Sequence, residues 1–287
     1  MQPPIRHVRA DNPSPLTGTG TNSYLLGKGE VAVIDPGPDL DNHLAALLGA
    51  LDPGERIATI LLTHAHLDHS ALVPRLVAET GAEVLAFGPA GSGRSAIMTG
   101  LAARGLPGGE GADESFAPDR CLTDGEVLTL GALQIETLHL PGHMGCHVGF
   151  ALGDVLFSGD HVMQWSSTLV SPPDGDMAAY MAALRRLADR PWRRFLPGHG
   201  PAVENPAARL AELIQHRLSR ETAILAALRD HGRAHPAELA ARIYTDTPLW
   251  LLPAATRNVL AHLIDLTARN LVHAAPGPLA TAVFQAR

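Results

Sequence analysis

The feature that most constrains this chain is a group of metal-binding side chains placed directly after an apolar run. Residues 57–62 read IATILL, the pattern of a buried strand, and residues 63–70 then read THAHLDHS. Imidazole nitrogens and carboxylate oxygens are ligands for zinc and related cations. One turn cannot close a metal site alone, so the fold must bring further ligands to it from elsewhere in the chain.

Three further stretches supply such ligands at the ends of apolar, strand-like runs: LPGHMGCH, FSGDHVM and LPGHG. In each, the histidine or aspartate follows a glycine, which lets the backbone turn sharply. Loops at the edge of a sheet commonly carry chemistry on a rigid scaffold. The sequence therefore predicts a metal site with seven ligands: His64, His66, Asp68, His69, His143, Asp160 and His199.

The chain changes character near Pro206, which predicts an α+β protein with a catalytic domain over 1–205 and a second domain over 206–287. Before that point, short strand-like runs alternate with turns, and a Gly-rich stretch over 88–111 predicts a mobile excursion. Three helices and two short strands predict a winged helix after it. The predicted helices are 40–51, 66–80, 177–188, 206–229, 236–244 and 253–270, and the last two strands are 271–274 and 280–285.

Composition limits the compartment and the partners. No apolar run reaches 18 residues, and the polar, Pro-rich N-terminus lacks the apolar core of a signal peptide. With only two cysteines, the chain is expected to be cytoplasmic, with no membrane partner. The part from Ala207 onward carries about +3 and the rest about −10, which argues against indiscriminate nucleic-acid binding but leaves a local contact open.

The motifs together resemble the metallo-β-lactamase superfamily. They occur in family order, beginning with Asp35 in VIDPG and continuing through THAHLDH, PGH, SGD and PGHG. The stretches LPGHGPAVENPAARL, IQHR and NVLAHLIDL are similar to LACTB2-like hydrolases, which add a C-terminal winged helix. The resemblance implies an αββα sandwich followed by a small, mostly helical winged-helix domain, with two divalent cations at one edge.

The resemblance also implies a role for each ligand. One cation takes His64, His66 and His143, the other takes Asp68, His69 and His199, and Asp160 and a hydroxide bridge the two. The hydroxide is the expected nucleophile, Asp68 the catalytic residue that orients it, and Asp35 a residue that holds the ligand loop from behind. A His-rich site favours Zn²⁺, with Mn²⁺ or Fe²⁺ as alternatives.

Two departures from related families narrow the chemistry. His66 stands where flavodiiron proteins have a carboxylate, which disfavours redox chemistry at two irons. Asp160 stands where class B1 β-lactamases have a cysteine, which disfavours β-lactam hydrolysis as the main activity.

Several residues near the motifs have two interpretations. His147 supports a metal ligand, faces the substrate, or is a plain wall residue. Trp165, Ser167 and Thr168 follow the bridging aspartate and are candidates for substrate contact, unless they only shape a loop. The helix that carries Arg257 would be the recognition helix of a winged fold. We favour the alternative that it packs against the catalytic domain.

Three functions are compatible with these residues. The resemblance to LACTB2-like proteins implies endoribonuclease cleavage of single-stranded RNA. The same nucleophile could hydrolyse a small ester, thioester or lactone, as in glyoxalase II-like chemistry. A non-catalytic, nucleic-acid-binding winged-helix protein is disfavoured because the ligand set is complete. A basic channel to the metals would distinguish RNA from a small substrate. Superfamily members often dimerise, so a homodimer is a further expectation.

Overall fold

The computed structural model describes residues 5–108 and 111–287 of the chain. Its first sheet carries the loop with the THAHLDH motif, the ligand loop. Its strands lie side by side in chain order: β1 (Ile5–Arg9), β2 (Asn22–Leu26), β3 (Glu30–Ile34), β4 (Arg56–Leu61), β5 (Glu83–Ala86) and β6 (Arg120–Cys121). Pairing is antiparallel from β1 to β3 and parallel from β3 to β6. The ends of β3 and β4 therefore meet at one edge, where Asp35 and the THAHLDH motif follow.

The second sheet carries the other predicted ligands. Its strands are β7 (Val127–Leu130), β8 (Leu133–His139), β9 (Val148–Leu152), β10 (Val155–Gly159) and β11 (Arg194–Pro197), in the spatial order β11-β10-β9-β8-β7. Only the β10–β11 pair is parallel. Asp160 follows β10 and His199 follows β11, so these two ligands reach the same edge.

Eight α-helices, a short 3-10 helix over Leu249–Leu251 and a third sheet complete the part of the chain that the structure describes. The helices are α1 (Asp41–Gly49), α2 (Leu67–Ser70), α3 (Val73–Thr80), α4 (Ala96–Ala103), α5 (Met177–Ala188), α6 (Pro206–His231), α7 (Pro236–Ile243) and α8 (Leu252–Ala268). The third sheet is antiparallel, in the order β12 (Arg233–Ala234), β14 (Val283–Ala286), β13 (Val272–Ala275). None of these helices is both long and apolar enough to cross a membrane.

The central strands are buried on both faces, and successive side chains enter different cores, which produces the layers of the N-terminal part. Side chains such as Ile34 from the first sheet and Phe150 and Phe157 from the second share one core between the sheets. A second core packs α1 and α3 on the outer face of the first sheet, and a third packs α5 and α6 on the outer face of the second. The expected αββα sandwich is confirmed.

The C-terminal winged helix is confirmed as well, but α6 belongs to both parts of the molecule. Leu210 and Leu213 near its start pack in the core of the second sheet, whereas Ile224 and Leu228 near its end pack in the C-terminal core. Asn205 caps its first turn by accepting a hydrogen bond from the amide of Ala208. The boundary at 205/206 remains a prediction.

Three local predictions differ from the structure. Residues 66–80 form two helices, α2 and α3, not one. The Gly-rich stretch contains α4, whose Met98 and Leu101 are buried in the C-terminal core, so the prediction of an excursion over 88–111 was wrong. Within it, residues 109–110 lie outside the described part. Strands β1 and β2 were not predicted, because the polar N-terminus lacks a strong strand pattern.

Candidate active site

The THAHLDH motif forms a tight turn between β4 and α3. His66 is extended, and its carbonyl accepts hydrogen bonds from the amides of His69 and Ser70, both at 2.9 Å. This turn brings four potential ligands into one small volume directly after a strand.

Three histidines form the first group of potential ligands. His64 Nε2 and His143 Nε2 each lie 3.0 Å from His66 Nδ1. His143 lies on a different loop, 77 residues after His66 in the chain. Ligand atoms of the three side chains all lie within 4.8 Å of one another.

A second group lies beside the first. His199 Nε2 is 3.1 Å from Asp68 Oδ2 and 3.2 Å from His69 Nε2. Asp160 lies between the groups, with Oδ2 3.3 Å from His199 Nε2 and 3.8 Å from His143 Nε2. The structure thus brings all seven sequence-predicted ligands together.

Outward hydrogen bonds fix which nitrogen His143 and His69 turn to the site. Nδ1 of His143 lies 2.8 Å from the carbonyl of Leu169, and Nδ1 of His69 lies 3.0 Å from Asp35 Oδ2. A carbonyl or carboxylate oxygen can only accept, so these Nδ1 atoms donate to it and Nε2 is the nitrogen that faces the site. This is the orientation that a divalent cation requires.

Asp35 organises the ligand loop from behind, as predicted for its position. Its Oδ1 accepts from the Thr63 amide at 2.8 Å, and its Oδ2 accepts from the Thr63 hydroxyl at 2.8 Å and from His69. Its φ is +53°, in the left-handed region that few residues other than glycine, asparagine and aspartate adopt.

Electrostatics divides the rings into two classes. Burial holds the pKa of His64 well below its usual range and lowers the pKa of His66 to about 3, so both rings are neutral. Burial opposes charge at His69 and His199 as well, but Asp68 and Asp160 outweigh it. These carboxylates raise the pKa of His69 above its usual range and the pKa of His199 to about 9. The site therefore combines neutral nitrogen donors with a strong preference for positive charge.

These features fit a pair of divalent cations. The donors are imidazole nitrogens and carboxylate oxygens, the set that suits zinc and neighbouring transition metals. Oδ1 of Asp160 is buried without a hydrogen-bond partner among the described residues, which is costly unless a cation or water satisfies it.

Glycines make the close approach of the ligand loops feasible. A Cβ on Gly198 would lie 2.6 Å from both Asp160 Oδ1 and His69 Cε1. Gly159 has φ +48°, and a Cβ there would lie 2.6 Å from His147 Nε2. Glycine is thus sterically required before Asp160 and before His199.

The remaining predicted residues divide between support and cavity wall. His147 is fully buried, and its Nε2 accepts a hydrogen bond from the Asp160 amide at 3.2 Å, so it contacts the ligand loop and does not line the cavity. Thr168 Oγ1 lies 3.0 Å from His143 Nδ1. Trp165 and Ser167 line the cavity above the ligands.

A cavity of about 650 Å³ opens over the two ligand groups, between the catalytic sandwich and the C-terminal helices. Asp68 is the most accessible carboxylate on its floor, with 31% of its side chain exposed. No lysine or arginine occurs among its lining residues within 5–108 and 111–287. The apolar walls are formed by Leu16, Met163, Trp165, Trp250, Leu251 and Ala254.

Sequence reasoning named Trp165 but missed the C-terminal residues of this wall. Trp250 and Leu251 are far from the ligand motifs in the chain, and no local pattern relates them to the site. The one signal in the sequence was composition, because Leu249 and Trp250 are large apolar residues in a short segment flanked by prolines. In the structure they are 82% and 59% exposed.

Comparison with known proteins agrees with this architecture. The model of the metallo-beta-lactamase superfamily matches residues 16–199, and that of the beta-lactamase-associated winged helix domain matches residues 236–277. The chain belongs to the metallo-β-lactamase superfamily. Within it, the chain is a hydrolase of the LACTB2-like type.

Curated relatives share most of the chain. The beta-lactamase-like protein 2 homolog of Drosophila melanogaster is 31% identical over 276 residues, covering 89% of this chain and 85% of the relative. An atrochrysone carboxyl ACP thioesterase from Aspergillus fumigatus is 30% identical over 267 residues, covering 86% of this chain and 76% of the relative.

Solved structures are similar either to nearly the whole chain or to about 71% of it. A metallo-beta-lactamase family protein from Thermus thermophilus has a TM-score of 0.76 and 25% identity, covering 99% of this chain and 98% of that one. The protein TTHA1623, solved in a di-iron-bound form, has a TM-score of 0.53 and 33% identity over 71% of this chain and 98% of its own.

Proposed function

We propose that the protein is a binuclear metal-dependent hydrolase of thioesters or esters that carry an apolar acyl group. The observation that carries this proposal is the cavity, whose walls are apolar and whose described lining residues include no lysine or arginine. An apolar cavity with a few convergent polar groups suits a small substrate. A phosphodiester strand would instead require basic residues along its path.

Seven residues would hold the cations. His64, His66 and His143 form one group and Asp68, His69 and His199 the other, with Asp160 between them. Two divalent cations, when bound there, lower the pKa of a water molecule and polarise the group under attack. Zn²⁺ is the proposed metal, and iron is the alternative that the relative in a di-iron-bound form supports.

Residues of the chain then position the reactants. Asp68 is partly exposed on the cavity floor, so its carboxylate can accept a hydrogen bond from the attacking water and orient it toward the acyl carbon. Asp68 can take a proton from that water as its oxygen bonds to the acyl carbon, and can pass the proton to the leaving sulfur or oxygen as the bond from that atom to the acyl carbon breaks. The wall around Trp165 and Trp250 would hold the acyl group and exclude water.

The thioesterase relative supports this substrate class, because it shares most of the chain with this protein. The arrangement of α8 supports it too. Arg257 donates hydrogen bonds to Ser171 and to the carbonyl of Pro107, so this helix packs against the catalytic part, as we favoured from the sequence. These contacts within the protein support packing of Arg257 over a role in nucleic-acid recognition.

Cleavage of single-stranded RNA remains the second candidate. Its support is the LACTB2-like architecture, in which a winged helix accompanies the catalytic sandwich. The described cavity wall does not favour it, because a phosphodiester strand needs basic side chains along its path and no lysine or arginine lines this wall.

One experiment separates the two candidates. Zinc-loaded protein would be assayed with acetyl, octanoyl and naphthoyl thioesters of N-acetylcysteamine and, in parallel, with an end-labelled unstructured RNA. Asp68→Ala would be the control for contaminating enzymes. We expect thioester hydrolysis that is faster for the longer acyl groups and absent in the variant. RNA cleavage by the wild type alone would instead establish the nuclease candidate.

A further inference from the structure

We propose that Arg217 and Asn258, on the two long C-terminal helices, are positioning residues that orient His143 through the loop of residues 163–171. The inference rests on the proposed metal site, because His143 is one of its ligands. It assigns the C-terminal part of the chain a role in the geometry of the metal site.

Arg217 is a buried cation with neutral partners. Its side chain in α6 is 1% exposed, and its guanidinium lies 5.2 Å from the ring of Tyr180. It donates hydrogen bonds to the backbone carbonyl of Thr168 and, at 3.2 Å, to Asn258 Oδ1. Burying a charge among neutral acceptors is costly, so a purely structural contact between helices would be served better by an apolar side chain.

The same loop contacts His143 through the peptide that follows Thr168, the one between Leu169 and Val170. The Leu169 carbonyl accepts the Nδ1 proton of His143 at 2.8 Å, and the amide of Val170 donates to Asn258 Oδ1 at 3.1 Å. This carbonyl and this amide belong to one planar peptide group and point in opposite directions. Asn258 therefore fixes the direction of the carbonyl that receives the proton from His143.

Arg217 strengthens the arrangement from both sides. It holds the preceding carbonyl, that of Thr168, and it also donates to the same Asn258 oxygen that fixes the Leu169 peptide. The Thr168 hydroxyl lies 3.0 Å from His143 Nδ1, so the two residues that contact this nitrogen, Thr168 and Leu169, lie on backbone held by the two C-terminal side chains. Without them, the ring would lose the acceptor that keeps its Nε2 lone pair directed at His66.

The test uses the full-length protein and four variants. Arg217→Met and Asn258→Ala remove the contacts, and Arg217→Lys retains one donor. Arg220→Met is the matched control, because Arg220 lies on the same helix and contacts Ile243 and Tyr244 of the C-terminal part. The first measurement is the histidine side-chain ¹H–¹⁵N NMR spectrum, which reports the tautomer of His143. The second is a titration with Co²⁺ followed by its absorption spectrum.

We expect wild type and Arg220→Met to show one His143 tautomer, with the proton on Nδ1. We expect Arg217→Met and Asn258→Ala to show a mixture of tautomers and about tenfold weaker binding of one Co²⁺ equivalent, with an intermediate effect for Arg217→Lys. Asn258→Ala removes only an amide, so it decides the matter if Arg217→Met fails to fold. A single tautomer and wild-type affinity in Asn258→Ala would overturn the proposal.

Failure of the proposed function would look different. If thioesters are not hydrolysed, both measurements still read out the orientation of His143. If wild type binds no Co²⁺, the proposed metal chemistry fails, and the tautomer in the NMR spectrum alone decides whether Arg217 and Asn258 orient the ring.

Discussion

Asp35 Oδ2 lies 3.0 Å from Nδ1 of His69, and the same carboxylate accepts two hydrogen bonds from Thr63. One buried aspartate thus fixes both the start of the ligand loop and the orientation of one of its ligands.

Replacing Asp35 with asparagine should weaken metal binding. Asparagine keeps the size and tolerates the left-handed backbone, but an NH2 group replaces one of the two accepting oxygens and therefore faces a Thr63 or His69 donor. We expect metal affinity to fall by about 10- to 100-fold, measured by competition with a chelator. Asp39→Asn, at an exposed carboxylate paired with Arg75, is the control. Equal affinity in both variants would exclude the proposed role of Asp35.

Replacing Asp68 with alanine should abolish catalysis while the fold persists. Its carboxylate is partly exposed on the cavity floor, so little packing is lost. We expect kcat/KM to fall by about 10²- to 10⁴-fold, the range for removal of a group that handles protons. Thermal unfolding followed by circular dichroism checks the fold. Full activity in Asp68→Ala would refute the mechanism.

Two glycine variants test the steric argument. Gly198→Ala places a Cβ 2.6 Å from Asp160 Oδ1 and His69 Cε1, so we expect a loss of about 1–3 kcal/mol in the free energy of unfolding and weaker metal binding. Gly100→Ala in α4 meets nothing within 4 Å and should leave the protein as stable or slightly more stable. Denaturant unfolding of both variants measures the difference, and similar stabilities would contradict the close approach.

His262 should make stability depend on pH. Burial and, after it, the nearby Arg217 lower the pKa of His262 to about 3, whereas an unfolded histidine titrates near about 6.5. Between these values the unfolded chain binds a proton that the folded protein does not. Stability is therefore present above about pH 6.5 and declines as pH falls toward 3, by up to about 1.4 kcal/mol per pH unit from this residue.

The variant His262→Leu isolates that contribution. Urea unfolding at pH 5 and pH 8 should show a smaller difference for this variant than for the wild type. Equal differences in the two proteins would mean that His262 is not buried in its neutral form.

Trp250 should contribute to acyl selectivity. It forms part of the apolar cavity wall and is 59% exposed, so its loss should disturb the fold little. We expect Trp250→Ala to raise KM for octanoyl and naphthoyl thioesters several-fold and to leave the acetyl thioester nearly unchanged. A uniform change for all three substrates would argue against an acyl-binding wall.

The sequence predicted the ligand site better than its surroundings. All seven residues predicted as ligands follow strand-like runs within a few residues, so local pattern and spacing were enough to predict that they lie together. The interpretation of α5 over Met177–Ala188 also matched, because its apolar residues have helical spacing and Asp176 caps its start.

What the sequence could not predict depends on contacts between distant segments. Arg217 and Asn258 reach the loop at residues 163–171 from 49 and 88 positions further along the chain. Helix α4 packs into the C-terminal core, although its glycine-rich surroundings suggested an excursion. Such contacts arise from packing of whole elements, which leaves no mark on local periodicity.

The measurement that tests the central claim most directly is the metal content of the purified protein after equilibration with zinc and dialysis. The account predicts two equivalents per chain for the wild type. It predicts one equivalent for His143→Ala and one for His199→Ala, because these two ligands lie in different groups. Less than one equivalent in the wild type, or two in both variants, would contradict the assignment of this site.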